Sequence, residues 1–94
     1  MATYLLGYDL LNETNGRFDY EPLWKELKRL GAHRTQLSLW LLNVSEGPQQ
    51  VIEHFQKFAD KDDALWVTRI RAGEHWYSNA KAGTNEWFKL NPPT

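Results

Sequence analysis

Apolar and polar positions alternate along this chain in blocks of different period, and each block predicts an element. Thr3 to Leu10 is β-branched, aromatic or aliphatic apart from Gly7 and Asp9, which predicts a strand covered on at least one face. Asp9 stands where that run gives way to Asn12-Glu13-Thr14-Asn15-Gly16, a polar, turn-rich loop. Tyr20, Leu23, Trp24, Leu27 and Leu30 then recur at spacings of three and four, the stripe of an amphipathic helix. Asp19 suits its N-cap, Pro22 its first turn, and Gly31 its stop.

His33 to Val44 is too long for an average strand and carries no Asn-Gly or Asp-Gly signal for a two-residue hairpin. It reads as extended throughout, broken near Ser38 by a bulge or bend into two short strands. A second helix is expected from Pro48 to Ala59, capped by Gly47 or Ser45, with Val51, Ile52, Phe55, Phe58 and Ala59 as its apolar face. Asp60-Lys61-Asp62-Asp63 is the polar turn that ends it. Ala64 to Arg71 is β-rich, and His75-Trp76-Tyr77 suggests one more short strand. Ser78 to Thr94 shows little period and closes on Asn91-Pro92-Pro93.

The order is β-α-β-β-α-β, which predicts an α+β ferredoxin-like domain with two helices over one face of an antiparallel sheet. Residues 1–94 make one domain, with a core at 3–71 and a C-terminal strand or tail extension at 72–94. The second sheet face also needs cover. A second copy of the chain is the simplest source, so a twofold homodimer is expected.

Composition narrows the chemistry. With no cysteine, disulfides, thiolate catalysis and cysteine-based zinc sites are excluded. No apolar run is long enough to span a bilayer, and Met1-Ala2-Thr3 leads straight into the first strand, so a cytoplasmic protein without a membrane role is expected. Eleven basic against twelve acidic residues give a net charge of −1. Binding to nucleic acid must then rest on a local patch or a metal ion. Five Trp, four Tyr and four Phe are a generous supply for a core and an interface together.

Hydrolase elbows and phosphate-binding glycine loops are absent, and His33, His54 and His75 have no metal-ligand spacing. His54 follows Glu53 on what reads as the outer, solvated face of the second helix. Lys25, Lys28, Arg29, His33 and Arg34 form a basic cluster, which is a solvated helix face in the ordinary reading and a phosphate-tracking patch in the functional one. Arg69 and Arg71 alternate on one strand face, where they face either phosphate or acids of a partner subunit. Asp62-Asp63 reads as turn chemistry rather than a metal pair. Trp76, Tyr77 and Trp87 offer rings for base stacking, although packing of the tail on a sheet edge is the plainer account.

Asp9 is a loop cap if it acts alone. A twofold axis near the first strand's end would bring two copies together, and such a pair with water and phosphate oxygens suits Mg²⁺. A cation between them would relieve their mutual repulsion.

Tyr8-Asp9 at a strand end, followed by a loop and helix and then Gln36-Leu37-Ser38-Leu39-Trp40, resembles the small CRISPR-associated proteins of the Cas-two type and their VapD toxin-like relatives. The likeness covers roughly residues 3 to 71. It implies a ferredoxin-like homodimer and a Mg²⁺-dependent endonuclease acting on RNA or DNA. Asp9 would be the metal ligand and a catalytic residue, and Ser38, the second catalytic residue, would lie beside it in the cleft. Tyr8, Asn12, Arg34, Arg69 and Arg71 would be nucleic-acid contacts. The same family includes non-catalytic scaffolds on duplex DNA, so the alternative is a dimeric binding module for nucleic acid, a nucleotide or a protein partner. The chain departs from the family in carrying Leu39-Trp40 where the marker has Val-Phe, in its Trp-rich tail, and in a loop poor in basic residues.

Overall fold

A computed structural model describes residues 1–94. The elements are β1 (Ala2–Asp9), α1 (Glu21–Arg29), β2 (His33–Gln36), β3 (Leu39–Val44), α2 (Pro48–Gln56), β4 (Ala64–Arg69) and α3 (Thr84–Leu90). The four strands form one antiparallel sheet in the order β2-β3-β1-β4. This α+β topology is compatible with the ferredoxin-like arrangement expected from the element order.

β1 is central, paired with β3 from Ala2↔Val44 to Gly7↔Leu39 and with β4 from Tyr4↔Arg69 to Asp9↔Ala64. Because a strand turns alternate side chains to opposite faces, Tyr4, Leu6 and Tyr8 enter the core with Trp40, Leu42 and Val44. Leu23 and Leu27 of α1 and Val51 and Phe55 of α2 close over them.

The helix ends follow local chemistry. Asp19 Oδ1 accepts the Glu21 N–H at 3.0 Å, and Pro22 stands in the first turn of α1. At its exit the Ala32 N–H donates to the Leu27 carbonyl and the Gly31 N–H to that of Lys28, a paired closure that needs Gly31 at φ +76°. Gly47 starts α2, with its N–H donating to Gln50 Oε1 at 3.0 Å and Pro48 following.

Four expectations are corrected. His33 to Val44 does break at Ser38, but it forms a two-residue hairpin without an Asn-Gly or Asp-Gly pair. Asn-Gly is demanded by turns with positive φ, and neither Leu37 nor Ser38 has one. Tertiary bonds hold this turn instead: Arg34 Nε donates to the Leu37 carbonyl at 2.9 Å, and the Tyr8 N–H to that of Ser38 at 3.2 Å. A register shift between Arg34 and Gln36 supplies the bulge.

His54 is the second correction. It is half-buried between α1 and α2, with Nε2 at 2.6 Å from Glu26 Oε2 and its ring edge-on to Phe55 and Phe58. Glu26 also accepts two bonds from Arg29, at 2.6 and 2.8 Å. The Arg29 bonds, then that of His54, hold the Glu26 carboxyl down at about 2, against the opposing effect of its burial.

Third, His75 to Tyr77 is not a strand, and the tail contains α3. α3 lies on the sheet face away from α1 and α2, where Trp87 is buried with Leu41 and Ile70 and flanked by Leu5 and Phe88. Trp87 Nε1 donates to the Gly31 carbonyl at 2.8 Å, and Thr84 Oγ1 lies 3.0 Å from both Thr35 Oγ1 and His33 Nε2. Part of the cover that a second copy was expected to bring is thus supplied by the chain itself. Fourth, β4 ends at Arg69, so Arg71 lies beyond the strand.

Candidate functional site

The Tyr8-Asp9 pair is split by the strand's alternation. Tyr8 points under the helices and is buried. Its hydroxyl oxygen lies 3.1 Å from Trp24 Nε1, 3.0 Å from Trp40 Nε1 and 3.3 Å from Arg34 Nη2, all donors. Those bonds commit it to the interior, where it fixes the end of β1 rather than meeting a ligand directly.

Asp9, one residue on, is exposed on the opposite face, and its carboxylate makes no hydrogen bond and no ion pair. It therefore caps nothing. The cap of the following loop is Asp63: its Oδ1 accepts the Leu11 N–H at 2.9 Å, its Oδ2 the Asp60 N–H at 2.7 Å, and both oxygens lie within bonding distance of the Tyr20 hydroxyl. Burial, then the bond to Asp63, pushes the Tyr20 phenol up to about 12. The turn reading of Asp62-Asp63 agrees with this geometry. Asn12 is committed to the same anchor, its Nδ2 donating to Asp60 Oδ2 at 2.6 Å and its Oδ1 accepting from Asn15.

Asp9 and Ser38 line one shallow depression, with Gly7, Leu39, Ala64 and Trp66. Gly7 shapes it: a Cβ there would lie 2.9 Å from Leu39 Cδ2, so the absence of a side chain lets Leu39 lean across β1. Trp66 borders it at 76 % exposure. Trp66 was missed as a site residue, although Leu65 and Val67 facing the core imply that Trp66 faces out. Asp63 was read only as turn chemistry, and no local signal identifies its bonds to Leu11 and Tyr20.

The basic cluster does not assemble as one patch. Lys25 and Lys28 are exposed, Arg29 is paired with Glu26, and His33 meets Thr84. Arg34 is half-buried with its guanidinium 5.6 Å from the Trp24 ring and 5.7 Å from that of Trp40, and it holds the Leu37 carbonyl. It serves first to position the Leu37–Ser38 turn. Arg69 is exposed, with Nη2 donating to Thr94 Oγ1 at 3.0 Å, and Arg71 is exposed beyond it.

No group of three or more His, Asp or Glu side chains stands close enough to hold a metal ion. No helix is long and apolar enough to cross a membrane. No family model matches the chain, and no solved structure matches it with significance.

Proposed function

We propose that the protein is a ferredoxin-like homodimer of the Cas-two/VapD type that cuts RNA or DNA phosphodiesters with the help of Mg²⁺. One observation carries this reading: Asp9 presents an unbonded carboxylate on the uncovered half of the sheet, beside Ser38 and an exposed Trp66. A carboxylate with no internal partner is available to a ligand from outside. Doubled across a twofold axis, it becomes the pair of oxygen donors that Mg²⁺ commonly takes along with water and phosphate. The ion would supply activation of water against the phosphodiester. The chain's own part is to hold Asp9 and Ser38 at one end of a rigid sheet, through the Tyr8 bonds on one side and the Asp63 loop anchor on the other.

Cleavage of single- and double-stranded RNA and DNA should require Mg²⁺, stop with a chelator, and fall to background in Asp9→Asn. Equal trace rates in the two purified proteins would sink the enzyme. Light scattering at micromolar concentration should give twice the chain mass, and a monomer would remove the paired site. A second reading, a non-catalytic binding module, is favoured by the tryptophans Trp66 and Trp76, exposed at 76 % and 95 %. Such rings are commonly the anchors of an interface.

A further inference from the structure

The loop between β1 and α1 carries Asn15-Gly16, and both residues are exposed. Asn15 Oδ1 accepts the Arg17 N–H at 3.0 Å, while Asn15 Nδ2 donates to Asn12 Oδ1 at 3.1 Å. Asn12 Nδ2 donates in turn to Asp60 Oδ2 at 2.6 Å. Asn15, Asn12 and Asp60 thus form a relay that clasps this loop to the turn between α2 and β4. The Gly16 N–H meets no acceptor, and the space where a Cβ would stand is open. The main-chain nitrogen after Asn15 is therefore both unbonded and unscreened by a side chain.

The other asparagines lack that combination. Asn43 lies in β3, Asn85 lies in α3, and Asn91 precedes Pro92, whose nitrogen carries no proton. Asn12 is half-buried and bonded through both ends of its amide. Asn79 is exposed, but Ala80 follows it and brings a Cβ.

We propose that Asn15-Gly16 is a site of spontaneous deamidation, and that the reaction opens the clasp between the β1–α1 loop and the α2–β4 turn. The only co-reactants are water and hydroxide. The Gly16 nitrogen gives its proton to hydroxide and attacks Asn15 Cγ. Charge then gathers on Oδ1, where the Arg17 N–H already donates. The bond from Cγ to Nδ2 breaks, and Nδ2 takes a proton from water and leaves as ammonia. One water adds to either carbonyl of the resulting succinimide, giving aspartate or isoaspartate at position 15.

The product removes the donor that Asn12 Oδ1 held, because an ionised carboxylate only accepts. Turning the Asn12 amide over would restore a donor toward position 15 but would set its oxygen against Asp60 Oδ2. One contact of the relay is lost either way. The change is one-way and adds a negative charge to the loop that follows Asp9. Asp9 takes no part in it, so the site stands or falls independently of cleavage.

Ageing the full chain in mildly alkaline buffer, followed by peptide mass mapping and enzymatic isoaspartate detection, tests the reaction. Position 15 should convert, faster as hydroxide rises, while Asn79 runs at least about tenfold behind for want of a glycine after it. Asn15→Gln should stay intact, since its longer side chain must close a larger ring. Conversion no faster at Asn15 than at Asn79 would overturn the site. So would a folded chain that stays intact under conditions that convert the urea-unfolded one. The clasp is read by NMR in Asn15→Asp, which carries the product charge without ageing. Exchange of the Asn12 side-chain amide protons should quicken about fivefold, the scale of one net hydrogen bond. Unaltered exchange would overturn the opening of the clasp.

Discussion

Under α1 and α2 the sheet contributes to a cluster of eleven buried residues, whereas on its other face only Leu41, Ile70 and Trp87 are buried together. The same strands feed both faces, because each alternates its side chains. The contrast therefore comes from what lies on top. Two nine-residue helices bring Leu23, Leu27, Val51 and Phe55 to one face, while seven-residue α3 brings Trp87 and the flank of Phe88 to the other. One face holds the domain together. The other keeps Asp9, Leu39 and Trp66 within reach of something outside.

The largest effect expected from that contrast is at Leu6. Leu6→Ala removes a fully buried side chain and should cost about 4 kcal/mol in urea unfolding, whereas Trp66→Ala should stay within about 0.5 kcal/mol. Comparable losses in dilute protein would mean that the two faces are equally closed. If the Trp66 effect grows with protein concentration, the open half is where copies associate. Trp87→Ala should fall next, at about 3 kcal/mol, because a buried indole and its bond to Gly31 are both lost. A negligible loss would detach α3 from the sheet and leave the second face bare.

The smallest effect belongs to the tie between the two helices. Glu26 titrates at about 2, below its ordinary 4.5, so its contribution is present above pH 4.5 and is lost as pH falls toward 2. Glu26→Gln should cost about 1 kcal/mol at neutral pH and flatten that part of the stability profile. An unchanged slope between pH 4.5 and 2 would show that other carboxylates govern it.

The covered face was the legible one. Tyr20, Leu23, Trp24, Leu27 and Leu30 carry the period of α1, and their facing partners on β1 and β3 alternate as strands do. His54 could have been placed from the same rule, since Val51, His54, Phe55 and Phe58 fall on one helical stripe. Its charged neighbour Glu53 points to solvent instead. α3 is another matter: in seven residues only Thr84 and Trp87 are buried, too few to display a period. At the site, the strand end and its acid were readable. The bonds from Asp63 to Leu11 and Tyr20 were not, because they join positions 52 and 43 residues apart. Nothing local distinguishes an aspartate that caps its own loop from one that caps a distant loop. The cap that Asp9 would be if it acted alone is supplied by Asp63.

The central place of β1 sets an order on assembly. β1 leaves the ribosome before β3 and β4, the strands that hydrogen-bond its two sides. Until they arrive, Tyr4, Leu6 and Tyr8 stand on an unpaired strand with two free edges, the situation most open to pairing with another chain. α1 is the first element available to shield them in that interval, through Leu23 and Leu27. The strength of α1 as a helix thus bears on how cleanly a nascent chain reaches this fold, apart from what α1 adds once the fold is complete.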